Sequence, residues 1–106
     1  VKISRWSQNE SMPDAARNNL MTVPNIGKSM AEDLIQLGVT SIAQLAERDP
    51  DDLYVSLCRL TNTRQDPCVW DTFAAAVHYA KTGEAKKWWD YTPERKARKD
   101  FNSLLA

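Results

Sequence analysis

Apolar residues in this chain recur three and four positions apart and hardly ever two apart, and that spacing selects helices over strands. Only three glycines and five prolines interrupt the pattern, so the breaks between helices can be placed one by one. Ser11 and Asp14 have the spacing of a capping pair and Pro13 suits a first turn, which predicts a first helix from Ser11 to about Thr22, stopped by Pro24. Ile26, Met30, Leu34 and Leu37 then form one stripe of a second helix over Lys28 to Leu37, with Gly38 just past its end. Ser41 and Gln44 announce a short helix from Ile42 to Glu47.

Two longer helices follow, each opened by an aspartate that can cap and a proline that fits the first helical position. Asp49-Pro50 starts one that runs to about Leu60, with Leu53, Leu57 and Leu60 as its buried face; Asp66-Pro67 starts another that Gly83 closes, with Val69, Phe73, Ala76, Val77 and Ala80 on its stripe. After an irregular stretch from Glu84 to Tyr91, Thr92 as cap, Pro93 and Glu94 predict a last helix reaching about Ser103. The sequence carries no solenoid repeat, heptad run or low-complexity tract.

With 106 residues and 42% apolar content, the chain is expected to be one all-α domain of about five or six helices. Its expected core includes Ile26, Met30, Leu34, Leu45, Leu53, Leu57, Val69, Phe73 and Val77. No stretch approaches the roughly 18 apolar residues of a membrane span. The polar start from Val1 to Glu10 lacks the apolar run of a secretory leader, so a cytoplasmic location is expected. Trp6 stands alone in that polar arm, where it either packs back on the core or meets a partner.

The formal net charge is zero, but it is unevenly placed. Residues 1–80 carry seven Lys/Arg against ten Asp/Glu, a net −3, whereas residues 81–106 carry seven against four, a net +3. Four of those seven are Arg95, Lys96, Arg98 and Lys99, so a polyanion is expected to meet the tail first.

Between the first two helices lies Thr22-Val23-Pro24-Asn25-Ile26-Gly27-Lys28-Ser29-Met30-Ala31. Gly27 tolerates left-handed backbone at no steric cost and Asn25 is the next most tolerant type, so the chain can reverse sharply with Ile26 pointing into the core. The amides of Gly27, Lys28 and Ser29 are then left at a helix start, where orphan donors and the positive helix end suit a phosphate. The Lys28 ammonium and Ser29 hydroxyl add two further donors.

This segment resembles the helix-hairpin-helix motif of many DNA repair and recombination proteins, whose pattern is Pro-Gly-Ile-Gly followed after three residues by Ala; Asn25 stands where that pattern has its first glycine. The stretch from Gly38 to Leu45 resembles the connector seen after such motifs. Together with Leu57-Cys58, Asp66-Pro67-Cys68-Val69, Ala74 to Val77 and Trp88-Trp89, the chain from about Met12 to Tyr91 resembles the small bacterial proteins of the pathogenicity-locus family, some of them named mitomycin resistance proteins. The single domain over 1–106 is expected to divide into a helix-hairpin-helix over residues 12–37, a helical core over 38–83 and an aromatic and basic extension over 84–106. The resemblance also implies a link to DNA through backbone phosphates and supplies no catalytic activity.

Each candidate group also has a plain structural reading. Asn25, Ile26, Gly27, Lys28 and Ser29 form either a phosphate clamp or a tight turn reused for packing. Lys86 and Lys87 precede Trp88, Trp89 and Tyr91, a combination found at single-stranded nucleic-acid sites, while the same rings also serve to pin the tail on the core, the reading favoured here. Arg95, Lys96 and Lys99 are either a solvated helix face or an auxiliary DNA contact. Cys58 and Cys68 are two packed thiols, or a redox pair in which the helix start favours the Cys68 thiolate, or part of a metal site for which His78 is the sole available histidine. His78 reads as a partly buried, hydrogen-bonded side chain and Asp71 as a surface residue; no nucleophile motif accompanies them, so no enzyme and no cofactor are expected. Asp49, Asp51 and Asp52 are explained by their place at a helix start without a metal.

The expected function is therefore non-sequence-specific DNA binding, to duplex or single strands, through Asn25 to Ser29 with Lys86, Lys87, Arg95, Lys96 and Lys99 as auxiliary contacts. A single motif without net positive charge binds weakly, which points to self-association or a larger repair assembly. The competing expectation is a protein-interaction adaptor in which the hairpin is only structural.

Overall fold

Asp49 and Asp66 act as the sequence predicts: the Asp49 carboxylate accepts from the Asp51 N–H at 2.9 Å and that of Asp66 from the Cys68 N–H at 2.8 Å, each with a proline in the first turn of its helix. The computed structural model describes residues 11–105. Trp6, and the side chains of Ser11, Pro13 and Asp14, lie outside the described residues.

Among the described residues there are six α-helices and no strand: α1 (Ser11–Leu20), α2 (Lys28–Gln36), α3 (Ile42–Ala46), α4 (Pro50–Thr61), α5 (Pro67–Thr82) and α6 (Thr92–Ala97). Single 3-10 turns cover Trp88–Tyr91 and Phe101–Ser103. Helix α5 is the centre of the arrangement, packing against α3, α4, α6 and the Trp88–Tyr91 turn, while α1 pairs with α2. No helix among the described residues is long and apolar enough to cross a membrane.

Local chemistry sets the helix ends. Gly38, at φ +90°, lets the Val39 N–H return to the Leu34 carbonyl at 2.9 Å and close α2; Asn62, at φ +52°, closes α4 in the same left-handed region. Before α3 the Ser41 hydroxyl accepts from the Gln44 N–H as expected, but Gln44 Oε1 reaches back to the N–H and hydroxyl of Thr40 rather than to Ser41.

One contiguous core joins Leu20, Val23, Ile26, Leu34, Leu45, Leu53, Leu57, Phe73 and Val77. Met30 and Val69 lie at its edge, half-buried rather than enclosed. Leu60 departs from expectation and is 50% exposed. The buried face of α4 runs through Leu53, Tyr54, Leu57 and Cys58, which rotates the last turn and Leu60 away from α5.

The tail differs most from the sequence reading. Helix α6 ends at Ala97, and Arg98 is extended with φ −75° and ψ 132°. Its guanidinium turns inward onto Asp51, at 2.7 and 3.1 Å, and onto Asp100 at 2.9 Å. The break lets Phe101 enter the core, where it is 6% exposed and meets the rings of Tyr54 and Trp70 at centroid distances of 5.3 and 6.2 Å. Thr92 does not cap α6; Tyr91 flanks the helix, and the Thr92 hydroxyl donates to Asp71 at 2.7 Å. Asp71 is accordingly no surface residue. It is fully buried and receives a two-pronged pair from Arg95, at 2.8 and 3.2 Å.

Candidate nucleic-acid interface

The α1–α2 turn is built from the end of α1 outward. The Thr22 and Val23 amides fold back on the Asn19 and Leu20 carbonyls, ending α1 before Thr22. Pro24 and Asn25 then occupy the centre of a turn closed by Ile26 N–H to the Val23 carbonyl at 3.1 Å. Asn25 has φ +74°, so the Pro-Asn order and the positive φ are those of a type II turn. Val23 and Ile26 are 1% and 5% exposed and anchor both arms of the turn in the core. The Ile26 side chain therefore meets the protein interior, and the backbone around it is what faces out.

Gly27 differs from expectation. It is extended, with φ −93° and ψ −173°, which any residue adopts, and a Cβ built there meets nothing within 4 Å. Neither backbone geometry nor internal packing requires a glycine at this position. As the residue before α2 it provides no side-chain cap, and the N–H groups of Gly27, Lys28, Ser29 and Met30 have no acceptor among the described residues. Lys28 and Ser29 are exposed beside them.

The turn is not isolated. Asn25 Nδ2 donates to the Lys86 carbonyl at 2.7 Å, across 61 positions of sequence. The backbone at Lys86 is thereby tied to the turn that precedes α2, joining two segments that the sequence offered separately. Lys87 places its Nζ 5.3 Å from the centre of the Trp89 ring, and the Lys87 N–H donates to Asp90 at 3.2 Å.

The acids nearby are largely engaged. Glu32 pairs with Arg17 at 3.3 Å, and Glu84 pairs with His78 at 2.7 Å. Hydrogen bonding to His78, reinforced by the Lys86 charge, holds the Glu84 carboxyl below its usual range. Asp33 is pushed up, by burial first and by the Glu32 charge second.

Of the remaining candidates, Arg95 is committed to Asp71, and only 11% of its side chain is exposed. The hydrogen bonds to Asp71 raise its pKa further. Lys96 and Lys99 are exposed on and after α6, and among the described residues no hydrogen bond or ion pair joins them to the α1–α2 turn. Tyr91 packs against the core, as a tail anchor should, but Trp89 is 52% exposed.

The two thiols are free and not joined to each other. Cys58 is buried and accepts from the Gln65 N–H, and Cys68 is pushed up by burial and by the adjacent Asp66, opposite to the expected helix-start activation. His78 is part-exposed and bonded to Glu84. Among the described residues no group of three or more His, Cys, Asp or Glu is placed to hold a metal ion.

Sequence reasoning missed Asp71 and Asp51 as organisers of the tail. A signal for the first was present, because Asp71 is the one acidic side chain in α5, surrounded by Trp70, Phe73 and Ala74. An acid so placed needs a buried partner, and an arginine elsewhere in the chain had to supply it.

Residues 14–97 match the family model described as pathogenicity locus. The mitomycin resistance protein McrB of Streptomyces lavendulae is 42% identical over 85 residues, a match spanning 80% of this chain and 81% of that protein. No solved structure matches the chain.

Proposed function

The chain belongs to the pathogenicity-locus family, and we propose that it binds DNA without sequence specificity, using the α1–α2 turn as a helix-hairpin-helix phosphate clamp in a repair or recombination setting. The observation that carries the reading is the Asn25–Lys86 hydrogen bond, which ties the segment carrying Lys86 and Lys87 to the turn that precedes uncapped α2. Orphan amides at a positive helix end donate to a phosphate oxygen, and Lys28 in the same turn with Lys86 and Lys87 in the tethered segment supplies charge for neighbouring phosphates. The bare Gly27 fits this use, since open space on its outer side admits a phosphate to its N–H. The resistance named for the relative from Streptomyces lavendulae agrees with a protective role of this kind.

The test is titration of a labelled duplex at several salt concentrations. Each phosphate neutralised adds about −0.9 to the log–log slope, so three lysines give roughly −3. Gly27→Leu with Lys28→Glu abolishes binding while leaving the helical signal intact, because a side chain at position 27 meets nothing inside the protein. Unchanged binding by that folded variant refutes the clamp. The competing adaptor reading draws on Leu60, 50% exposed at the end of α4, and requires that no DNA affinity exist even at low salt.

A further inference from the structure

We infer that Trp89 is a stacking platform for one unpaired base beside the clamped phosphates, so that the surface takes a DNA end, gap or overhang in preference to a continuous duplex. This rests on the phosphate reading above and sharpens its substrate.

Trp89 is one of three large apolar side chains left well exposed among the described residues, at 52%. Large aromatic rings ordinarily bury most of their surface, and Tyr91, two positions on, is half-buried against the core. Trp89 is exposed without being loose. The Trp88 ring meets it edge to face, with centroids 5.4 Å apart at 86°, and the Lys87 ammonium lies 5.3 Å from its centre. The backbone beneath is fixed by the Lys87–Asp90 bond and tied to the α1–α2 turn through Lys86. A ring already oriented by its neighbours gives up little freedom when a ligand stacks on it.

The surrounding charge selects the partner. Lys28, Lys86 and Lys87 complement a polyanion, and the face of an indole complements a base, so the two features together describe a nucleotide with its phosphate. In a continuous duplex each base face is covered by its neighbours, and Trp89 finds nothing to stack on. An unpaired base, or the last pair of a duplex, offers a free face.

Two labelled probes test this: a duplex closed at both ends by base-free ethylene-glycol linkers that cover its terminal pairs, and the same duplex with one end left open and extended by a short single-stranded overhang. The protein is expected to bind the overhang probe about tenfold more tightly, within what one stacked base contributes. Trp89→Ala brings the ratio to about one, and Trp89→Phe keeps most of it. Because Trp89 is more than half exposed, both variants retain the helical signal and melting temperature that serve as the folding control. Equal affinity for the two probes overturns the inference and leaves the phosphate clamp standing. A preference that survives Trp89→Ala overturns it too, since the overhang is then held elsewhere. No binding to either probe by the folded protein removes the clamp and the platform together.

Discussion

Arg95 and Arg98 on one side and Lys28, Lys86 and Lys87 on the other carry the same charge and have opposite occupations. The arginines face inward, against Asp71, Asp51 and Asp100, and hold the tail to α4 and α5. The lysines form no ion pair among the described residues: Lys28 lies in the first turn of uncapped α2, and Lys86 and Lys87 sit in the segment whose backbone Asn25 ties to the α1–α2 turn. A count of basic residues along the chain points to the tail, but two of its cations, Arg95 and Arg98, are taken up by internal pairs. The planar guanidinium, which can grip a carboxylate with two bonds at once, suits the internal task, and the hydrated ammonium suits the external one.

The largest effect that would break this contrast is on the inward side. Asp71→Ala leaves Arg95 in a mostly buried position without its carboxylate and is expected to cost about 3–5 kcal/mol in urea unfolding, while a loss under 1 kcal/mol would make the tail a peripheral attachment. Replacing both partners, Asp71→Leu with Arg95→Met, is expected to recover most of that loss, as it does when a buried pair gives way to apolar groups of similar volume.

Acidification gives the next effect. The Arg98 hydrogen bonds hold the Asp51 and Asp100 carboxyls below the usual range, and the Cys68 backbone amide does the same for Asp66. Groups whose folded pKa is lowered stabilise above their unfolded pKa, near 4, and lose that contribution as pH falls further. Melting temperature should therefore drop steadily below about pH 4, whereas Asp33, whose folded pKa is raised, gives a small gain as pH falls toward 4 and none below it. In Arg98→Met the acid slope should flatten, since the cause of two of the shifts is gone.

The smallest effect is the one that most sharpens the comparison. Gly27→Ser supplies the missing cap of α2 and is expected to raise stability by about 0.3 kcal/mol, read as a small rise in urea midpoint. The same hydroxyl competes for the orphan amides, so DNA affinity should fall as stability rises. A variant that gains both would separate the amides from the phosphate.

What could be read from the sequence was local. The capping aspartates before Pro50 and Pro67 and the Asn25 turn depend on residues within a few positions of each other, and they appear as expected. The tail does not, because its course depends on Asp51 and Asp71, which lie 47 and 24 positions from their arginines. Gly27 was misread in detail. Its type suggested a left-handed backbone, whereas the structure leaves it extended and bare. The contact between Asn25 and Lys86, on which the candidate site depends, has no sequence signature, because an amide–carbonyl bond across 61 positions leaves no pattern in either segment.

Phe101 carries a consequence for the timing of folding. Its ring fills the space between Tyr54 and Trp70, so helices α4 and α5 have no finished interface until residue 101 is in place. A chain made from its N-terminus therefore leaves the ribosome with these two aromatic rings still open to water. Their burial waits for residue 101 to emerge, about thirty positions after the second of the two rings has been made.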